Sequence, residues 1–327
     1  MKKTICIVLL VSIALCSIFA CNQTSSDVIR LNEVTHSVFY APLYVAINEG
    51  YFDEVGLTID LTNGGGADKS MTAVISGQAD VGLMGPEAAI YIYNEGKQDY
   101  PVIFGQLTRK DGSFIVAREP MPDFQWEDLK NHEILGGRRG GAPAMALEYA
   151  LKKNNLFDGE NITINYDVQY DLMTSAFDSG TADFCTMFEP AASNFVNAGK
   201  GYIVASVGAE AGDMPFTAFM ATKSYLSQNS DKMEKFMKAI KKGMDFVKNN
   251  SASDIARSLS PSFDGTDLQT LTLAIESYKK INAYMDTPVM KAEDFDRLQD
   301  VIIEAGVMTK KAVFKDVVDN TIALKVS

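Results

Sequence analysis

Between about residue 40 and residue 200 the apolar positions alternate between short dense runs and longer stretches at helical spacing. The pattern predicts a helix over 42–49, a strand over 57–62, a helix over 67–76, a strand over 80–84 and a helix over 87–95. The same order then returns: helix 143–154, strand 162–167, helix 171–179, strand 183–187, helix 190–198. Gly50 and Gly56 stand where a helix and a turn would end, and Pro143 suits a first helical turn. From Ser230 onward only helical spacing remains. Met233, Phe236, Met237, Ile240, Met244 and Val247 recur every three or four residues, and further helices fit 267–282, 291–304 and 311–323. These Met/Phe stripes are core faces, and Lys238, Lys241 and Lys242 form a solvated one.

The returning order reflects an internal repeat. At an offset of 103, Ala73, Ser76, Gly77, Ala79, Asp80, Met84, Ala88, Ala89, Asn94, Gly96 and Lys97 recur as identical residues. At an offset of 105, Tyr44, Phe52, Asp53, Thr58 and Ile59 match Tyr149, Phe157, Asp158, Thr163 and Ile164. The change of offset falls at Gly64-Gly65-Gly66, a loop that tolerates a change of length. A duplicated α/β unit follows, with parallel-rich sheets and right-handed crossovers in two lobes. Phe114–Ala117 and Phe216–Ala221 are expected to cross between the lobes, with joints at Arg118–Asp123 and Gly212–Pro215. The expected division is 28–117 for the first lobe, 118–213 for the second, and 214–327 for the return and the C-terminal helices.

The first 27 residues belong to neither lobe. Lys2 and Lys3 precede an apolar run from Ile5 to Phe19, too short for a comfortable membrane span and suited to export. Its end, Ile18-Phe19-Ala20-Cys21 followed by Asn22-Gln23-Thr24-Ser25-Ser26, resembles a bacterial lipoprotein signal. That resemblance implies a signal peptide over 1–20, lipidation of Cys21 and a tether over 21–27, holding the protein to the extracytoplasmic face of the membrane. Of the four cysteines, Cys6 and Cys16 would leave with the signal, and Cys185 would remain as a buried structural thiol. No intramolecular disulfide or Cys-rich metal site can then form. The formal charge of −12 becomes −14 once Lys2 and Lys3 are removed, which argues against nucleic acid or an anionic lipid surface as a partner.

In open parallel sheets a ligand lies beyond the carboxyl ends of the strands, beside helix amino termini. In the first lobe that rule selects Phe39-Tyr40, Gly64-Gly65-Gly66 and Gly85-Pro86-Glu87. In the second it selects Arg138-Arg139-Gly140-Gly141, Gln169-Tyr170 and Phe188-Glu189. The glycine loops could turn free N–H groups toward an anion. Glu87 and Glu189 could cap their helices or accept from a ligand amine. One of Arg138 and Arg139 could clamp an oxyanion. Tyr40, Tyr170, Phe188 and Phe216 could wall a flat ring. Catalysis finds little support: only His36 and His132 are present, with no nucleophile–base spacing and no metal-ligand cluster. Neither a cofactor nor an enzyme activity is expected.

The run Ala41-Pro-Leu-Tyr-Val-Ala-Ile-Asn-Glu-Gly-Tyr-Phe-Asp-Glu-Val-Gly-Leu57, with Gly64–Gly66, Ser76-Gly-Gln-Ala-Asp-Val-Gly82 and Phe188-Glu-Pro190, is similar to substrate-binding proteins of ABC importers. The likeness covers about 28–325 and lies with the nitrate, taurine, alkanesulfonate and thiamine-pyrimidine-precursor branch. It implies a two-lobed periplasmic-binding-protein fold of the second type, closing by hinge motion on a small molecule in the cleft between lobes. It also implies delivery to a permease with its cytoplasmic ATPase. Fungal thiamine-pyrimidine synthases of the broader family use a histidine and a lysine, where this chain has Leu83-Met-Gly-Pro-Glu-Ala-Ala89. Synthase activity is therefore not expected. The acids and aromatics favour a flat nitrogen heterocycle such as a thiamine pyrimidine precursor; Arg138-Arg139 beside Gly-Gly favours a small sulfonate or carboxylate.

Overall fold

The computed structural model describes residues 27–327, so the signal segment, Cys21 and all but the last residue of the tether lie outside the described residues. Ten strands form two five-stranded mixed sheets. Strands β1 (Asp27–Glu33), β2 (Leu57–Asn63), β3 (Val81–Met84) and β4 (Pro101–Thr108) come first, then β5 (Ser113–Ala117) and β6 (Glu133–Leu135). They are followed by β7 (Thr163–Asn165), β8 (Phe184–Phe188), β9 (Tyr202–Ser206) and β10 (Thr217–Thr222). The first sheet runs β2-β1-β3-β10-β4 and the second β7-β6-β8-β5-β9. In each sheet three neighbouring strands are parallel. The fourth, β10 in the first and β5 in the second, runs antiparallel to both its neighbours.

The identical order is the repeat in three dimensions. Helices Ala41–Asn48, Ala67–Ile75 and Glu87–Asn94 of the first lobe answer to Ala142–Lys153, Met173–Asp178 and Ala191–Asn197 of the second. Each exchanges one strand with the other lobe's stretch of chain, because β5 leaves the first run and β10 returns to it. Phe114–Ala117 therefore lies in the second sheet, paired with Phe184–Met187 of β8. The chain crosses at 109–112, several residues before the joint expected at Arg118–Asp123. The expected division at 117/118 would have cut β5 from its own sheet. Strand identity was legible from the apolar run, but the sheet it joins depends on a partner some seventy residues away.

Other departures from the sequence pattern are local. The expected helix over 311–323 is two short helices, Phe314–Val317 and Thr321–Val326. Val318 breaks it by bridging to Ile103 of β4, where Asp319 N–H donates to the Ile103 carbonyl at 2.9 Å. The Asp319 carboxylate then caps the next turn through Thr321 N–H at 2.9 Å. Strand β4 is buried along its whole length, so it shows none of the alternation by which a half-buried strand announces itself. The long helix Ser230–Asn249 buries Met233, Phe236, Met237, Ile240, Met244 and Val247 as its periodicity predicts. It packs on Ala41–Asn48. Each of these side chains contributes roughly 1.5–3 kcal/mol by leaving water.

Two C-terminal helices span the gap between lobes. Leu268–Lys280 packs against both the turn Val38–Tyr40 of the first lobe and Ala191–Asn197 of the second. Ala292–Glu304 packs against both Glu87–Asn94 and Ala142–Lys153. The seam between lobes is thus flanked on two sides by elements that touch both.

Candidate ligand-binding site

The seam is lined first by rings. Ser37 caps the turn Val38–Tyr40 by accepting from Phe39 N–H at 3.2 Å, which sets Phe39 at the centre of the interface with no exposure. The Phe39 ring lies 5.7 Å from Phe188, 5.8 Å from Phe216 and 4.9 Å from Tyr278. Phe188 in turn meets Tyr170 edge-on at 5.7 Å. Four of the aromatics selected from sequence, Phe39, Tyr170, Phe188 and Phe216, therefore come together in one cluster, and Tyr40 adjoins it at 5.9 Å from Phe39. Beside them opens a cavity of about 170 Å³, lined by Thr35, His36 and Ser37 of the first lobe and by Tyr170, Phe188 and Glu189 of the second, among others.

Glu87 occupies the most consequential position. It opens the helix Glu87–Asn94 in the first lobe, and its Oε1 accepts from Ala142 N–H at 3.3 Å, at the start of Ala142–Lys153 in the second. Two helix amino termini thus converge on one carboxylate. Its Oε2 is buried and accepts from nothing among the described residues. Burial, only partly offset by those backbone N–H groups, pushes the carboxyl up to about 7. Gly85 leaves room for this: a Cβ there would collide with the Glu87 carboxyl group. The buried Tyr40 hydroxyl is held well above its ordinary value, first by burial, then by the charges of Tyr170, Glu33 and Glu87.

Glu189 occupies a nearly corresponding place in the second lobe, two residues before its helix, and differs from Glu87 in every contact. Its two carboxylate oxygens accept from Ser193 N–H and from Ser193 Oγ, each at 2.9 Å, within the start of its own helix. Its backbone is equally engaged: the N–H donates to Tyr278 OH at 2.9 Å and the carbonyl accepts from Ser37 Oγ at 2.8 Å across the seam. Glu189 caps a helix and ties the lobes together. Ser193 supplies a donor to each carboxylate oxygen, which is the capping arrangement, and Glu189 also lines the cavity.

The expected anion-binding features likewise have partners within the protein. Gly64 N–H donates to Glu33 O at 2.8 Å, Gly65 N–H to Asn63 Oδ1 at 2.9 Å, and Gly66 N–H to Val34 O at 3.0 Å. Gly65 and Gly66 are glycines because φ is 67° and 143° there. Gly141 N–H closes a turn on Arg138 O at 3.1 Å. Arg138 is largely exposed and pairs with Asp68 of the other lobe at 2.6 Å. Arg139 lies 3.8 Å from the centre of the Tyr166 ring and pairs with Asp158 at 3.4 Å. Each guanidinium thus has a carboxylate within reach, in an ion pair whose arginine remains largely exposed.

The balance of buried charge completes the picture. Among the described residues the buried ionisable side chains, tyrosine and cysteine aside, are Glu33, Glu87, Asp111 and Glu189, with no buried Lys, Arg or His. Glu33 is satisfied by His36 Nδ1 at 3.0 Å and by a short bond from Tyr44 OH. Asp111 was missed from sequence, since Lys110-Asp111-Gly112-Ser113 reads as an ordinary turn. Cys185 is buried and free, as expected of a structural thiol. No group of three His, Cys, Asp or Glu able to hold a metal ion occurs among the described residues, and no described helix is long and apolar enough to cross a membrane.

Comparison with known proteins agrees with this architecture. A family model described as NMT1/THI5 like matches residues 38–253. A candidate binding protein, YtlA, of Bacillus subtilis (strain 168) is 40% identical over 309 residues, covering 94% of this chain and 92% of that protein. Among solved structures, the periplasmic nitrate-binding protein NrtA of Synechocystis PCC 6803 superposes with a TM-score of 0.74 at 14% identity, covering 92% of this chain and 88% of that one. The alkanesulfonate-binding protein SsuA of Xanthomonas axonopodis pv. citri, bound to MOPS, gives 0.72 at 15% identity, covering 89% and 98%. At such identities the likeness establishes the two-lobed periplasmic-binding-protein fold.

Proposed function

The chain belongs to the NMT1/THI5-like family, and from that premise we propose that it is the lipid-anchored, extracytoplasmic solute receptor of an ABC importer. It closes its lobes on a small flat heterocycle bearing N–H donors, of the thiamine-pyrimidine-precursor kind, and hands it to a permease driven by a cytoplasmic ATPase. The observation that carries this reading is the free, buried Oε2 of Glu87 where the two lobes meet. A carboxylate oxygen out of water and without a donor is costly. A ligand N–H supplied on closure would repay that cost only in the bound state.

Electrostatics favours this class over the sulfonates and nitrate bound by the structural relatives. An anion entering this seam would meet buried carboxylates, arginines already paired and glycine N–H groups already donated. Lipid anchoring at Cys21 would hold the receptor near its permease. The test is calorimetric titration of the mature chain in mild detergent with aminopyrimidines, taurine, alkanesulfonates and nitrate. Binding of an aminopyrimidine, recovered chemically unchanged, supports the reading; exclusive binding of the anions overturns it in favour of the sulfonate branch, and turnover of the ligand would make the protein an enzyme.

A further inference from the structure

The first crossing between sheets, residues 109–112, carries a second carboxylate in the condition of Glu87. Asp111 has no exposed surface. Its Oδ1 accepts from Ser113 N–H at 2.7 Å and from Ser113 Oγ at 2.5 Å. Its Oδ2 is buried and accepts from nothing among the described residues. Burial outweighs the two Ser113 bonds and brings the carboxyl up to about 7.

The position is tightly held. A Cβ on Gly112 would stand 2.7 Å from the Phe39 ring and 2.9 Å from the Phe188 ring, one from each lobe. A Cβ on Gly208 would collide with the backbone of Asp111 itself. Two glycines thus let the crossing sink between the aromatic cluster and the start of the helix Val207–Ala211. On the cavity side stands Tyr170. Its ring lines the cavity and meets Phe188, and its hydroxyl makes no hydrogen bond among the described residues. After burial, the Asp111 charge is the largest influence holding that hydroxyl above its ordinary value. The crossing thus holds an acceptor without a donor, beside the glycine on which the Phe188 ring closes, and the cavity wall formed by Phe188 and Tyr170 holds a hydroxyl without a partner.

We propose that Asp111 and Tyr170 form a second recognition point, taking an N–H donor of an amino-heterocycle and thereby tying ligand occupancy to the interlobe crossing. The assignment rests on the receptor reading above and adds a residue to it. A ligand bonded to Asp111 touches the segment that joins the two sheets, so binding and the relative placement of the lobes become one event. With Glu87 it makes recognition a matter of two acceptors, which selects for a ring that carries donors and against any anion.

The test uses the mature chain in mild detergent, with 4-amino-2-methylpyrimidine, 2-methylpyrimidine and taurine as calorimetric probes. Asp111→Asn should weaken the amine probe by about 30-fold or more, since a buried charged acceptor is exchanged for an amide that can turn a donor toward the ligand. Tyr170→Phe, at a side chain whose ring is partly exposed, should weaken it about fivefold with folding intact. Neither change should alter binding of 2-methylpyrimidine by more than twofold. Amine-probe affinity within twofold of wild type in a folded Asp111→Asn or in Tyr170→Phe overturns the assignment and leaves the receptor reading standing. Wild-type protein that binds taurine and not the amine probe overturns both, and wild-type protein that binds none of the three overturns the assignment.

Discussion

Glu87 should destabilise the ligand-free protein, in a way that can be separated from its role in binding. Its carboxyl is raised from 4.5 to about 7 by burial. For an acid raised on folding, both states hold the proton below the unfolded value, so no penalty exists there. Between pH 4.5 and 7 the unfolded chain ionises while the folded one keeps its proton, and stability falls with rising pH. Above pH 7 the loss levels off at about 3 kcal/mol. Glu87→Gln removes the titration and retains an oxygen for Ala142 N–H. Any fixed cost of burying the amide is the same at both ends of the range. Urea unfolding of ligand-free wild type and variant at pH 4.5 and pH 8 should show the variant gaining about 3 kcal/mol relative to wild type between the two. The same variant should lose the amine ligand, because its amide can present a donor where the ligand has one. A stability difference that does not change with pH would refute the reasoning, since it would mean that the carboxyl is solvated in the folded protein.

Three further outcomes follow from other contacts. Arg138→Ala breaks the interlobe pair with Asp68, yet both partners are at least half exposed, so unfolding free energy should change by less than about 1 kcal/mol. Amine-ligand affinity should stay within twofold in calorimetry, and a large loss would restore Arg138 to the site. His36 has acceptors at both ring nitrogens, Glu33 Oε1 at 3.0 Å and Ser262 O at 2.7 Å, and the hydrogen bond to Glu33 chiefly raises its pKa above 6.5. Its contribution is full below pH 6.5 and is lost as pH rises through the folded value. His36→Gln should therefore cost more at pH 5.5 than at pH 8.5, by under about 1 kcal/mol given the half-exposed ring; an equal cost at both would dismiss the imidazolium. Cys21→Ser should move the chain from the membrane fraction to the soluble one and abolish labelling with a radioactive fatty acid. A variant that still sediments with membranes would remove the lipid anchor from the picture.

How far the site could be read from sequence turns on what each residue needs from distant parts of the chain. The repeat was legible because both copies build the same local unit, and the same pattern of small and apolar residues survives at 73–97 and 176–200. Phe39, Tyr170, Phe188 and Phe216 were legible as ends of strands and starts of helices, which is where the topology sends ligands. The partners of Arg138 and Arg139 were not legible, because Asp68 and Asp158 lie 70 and 19 residues away. Asp111 was invisible because Asp-Gly reads as an ordinary turn. The rings of Phe39 and Phe188, closing over Gly112 from opposite lobes, and Gly208, against the Asp111 backbone, make that turn a buried acid.

The contrast between Glu87 and Glu189 shows that a finer signal was nonetheless present. Glu87 is the first residue of its helix and Glu189 stands two residues before Ala191–Asn197, so the two acids are near-counterparts in the two lobes. Four residues on, the sequences part. Ser193 follows Glu189, and its backbone N–H and short hydroxyl each donate to one oxygen of the carboxylate. Tyr91 follows Glu87, and its long ring carries the hydroxyl away to Gly140 O at 3.0 Å in the other lobe. The first acid is consumed at home, while the second is left with one oxygen and nothing to accept from. The two acids therefore differ in what the residue four positions on offers: Ser193 gives donors to the Glu189 carboxylate, and Tyr91 gives none to that of Glu87. Exchanging them tests this directly: Tyr91→Ser should draw the Glu87 carboxylate into a local cap and weaken the amine ligand by about tenfold or more. Unchanged affinity in that variant, by the same calorimetric titration, would show that the fate of the carboxylate is set by the seam and not by its own helix.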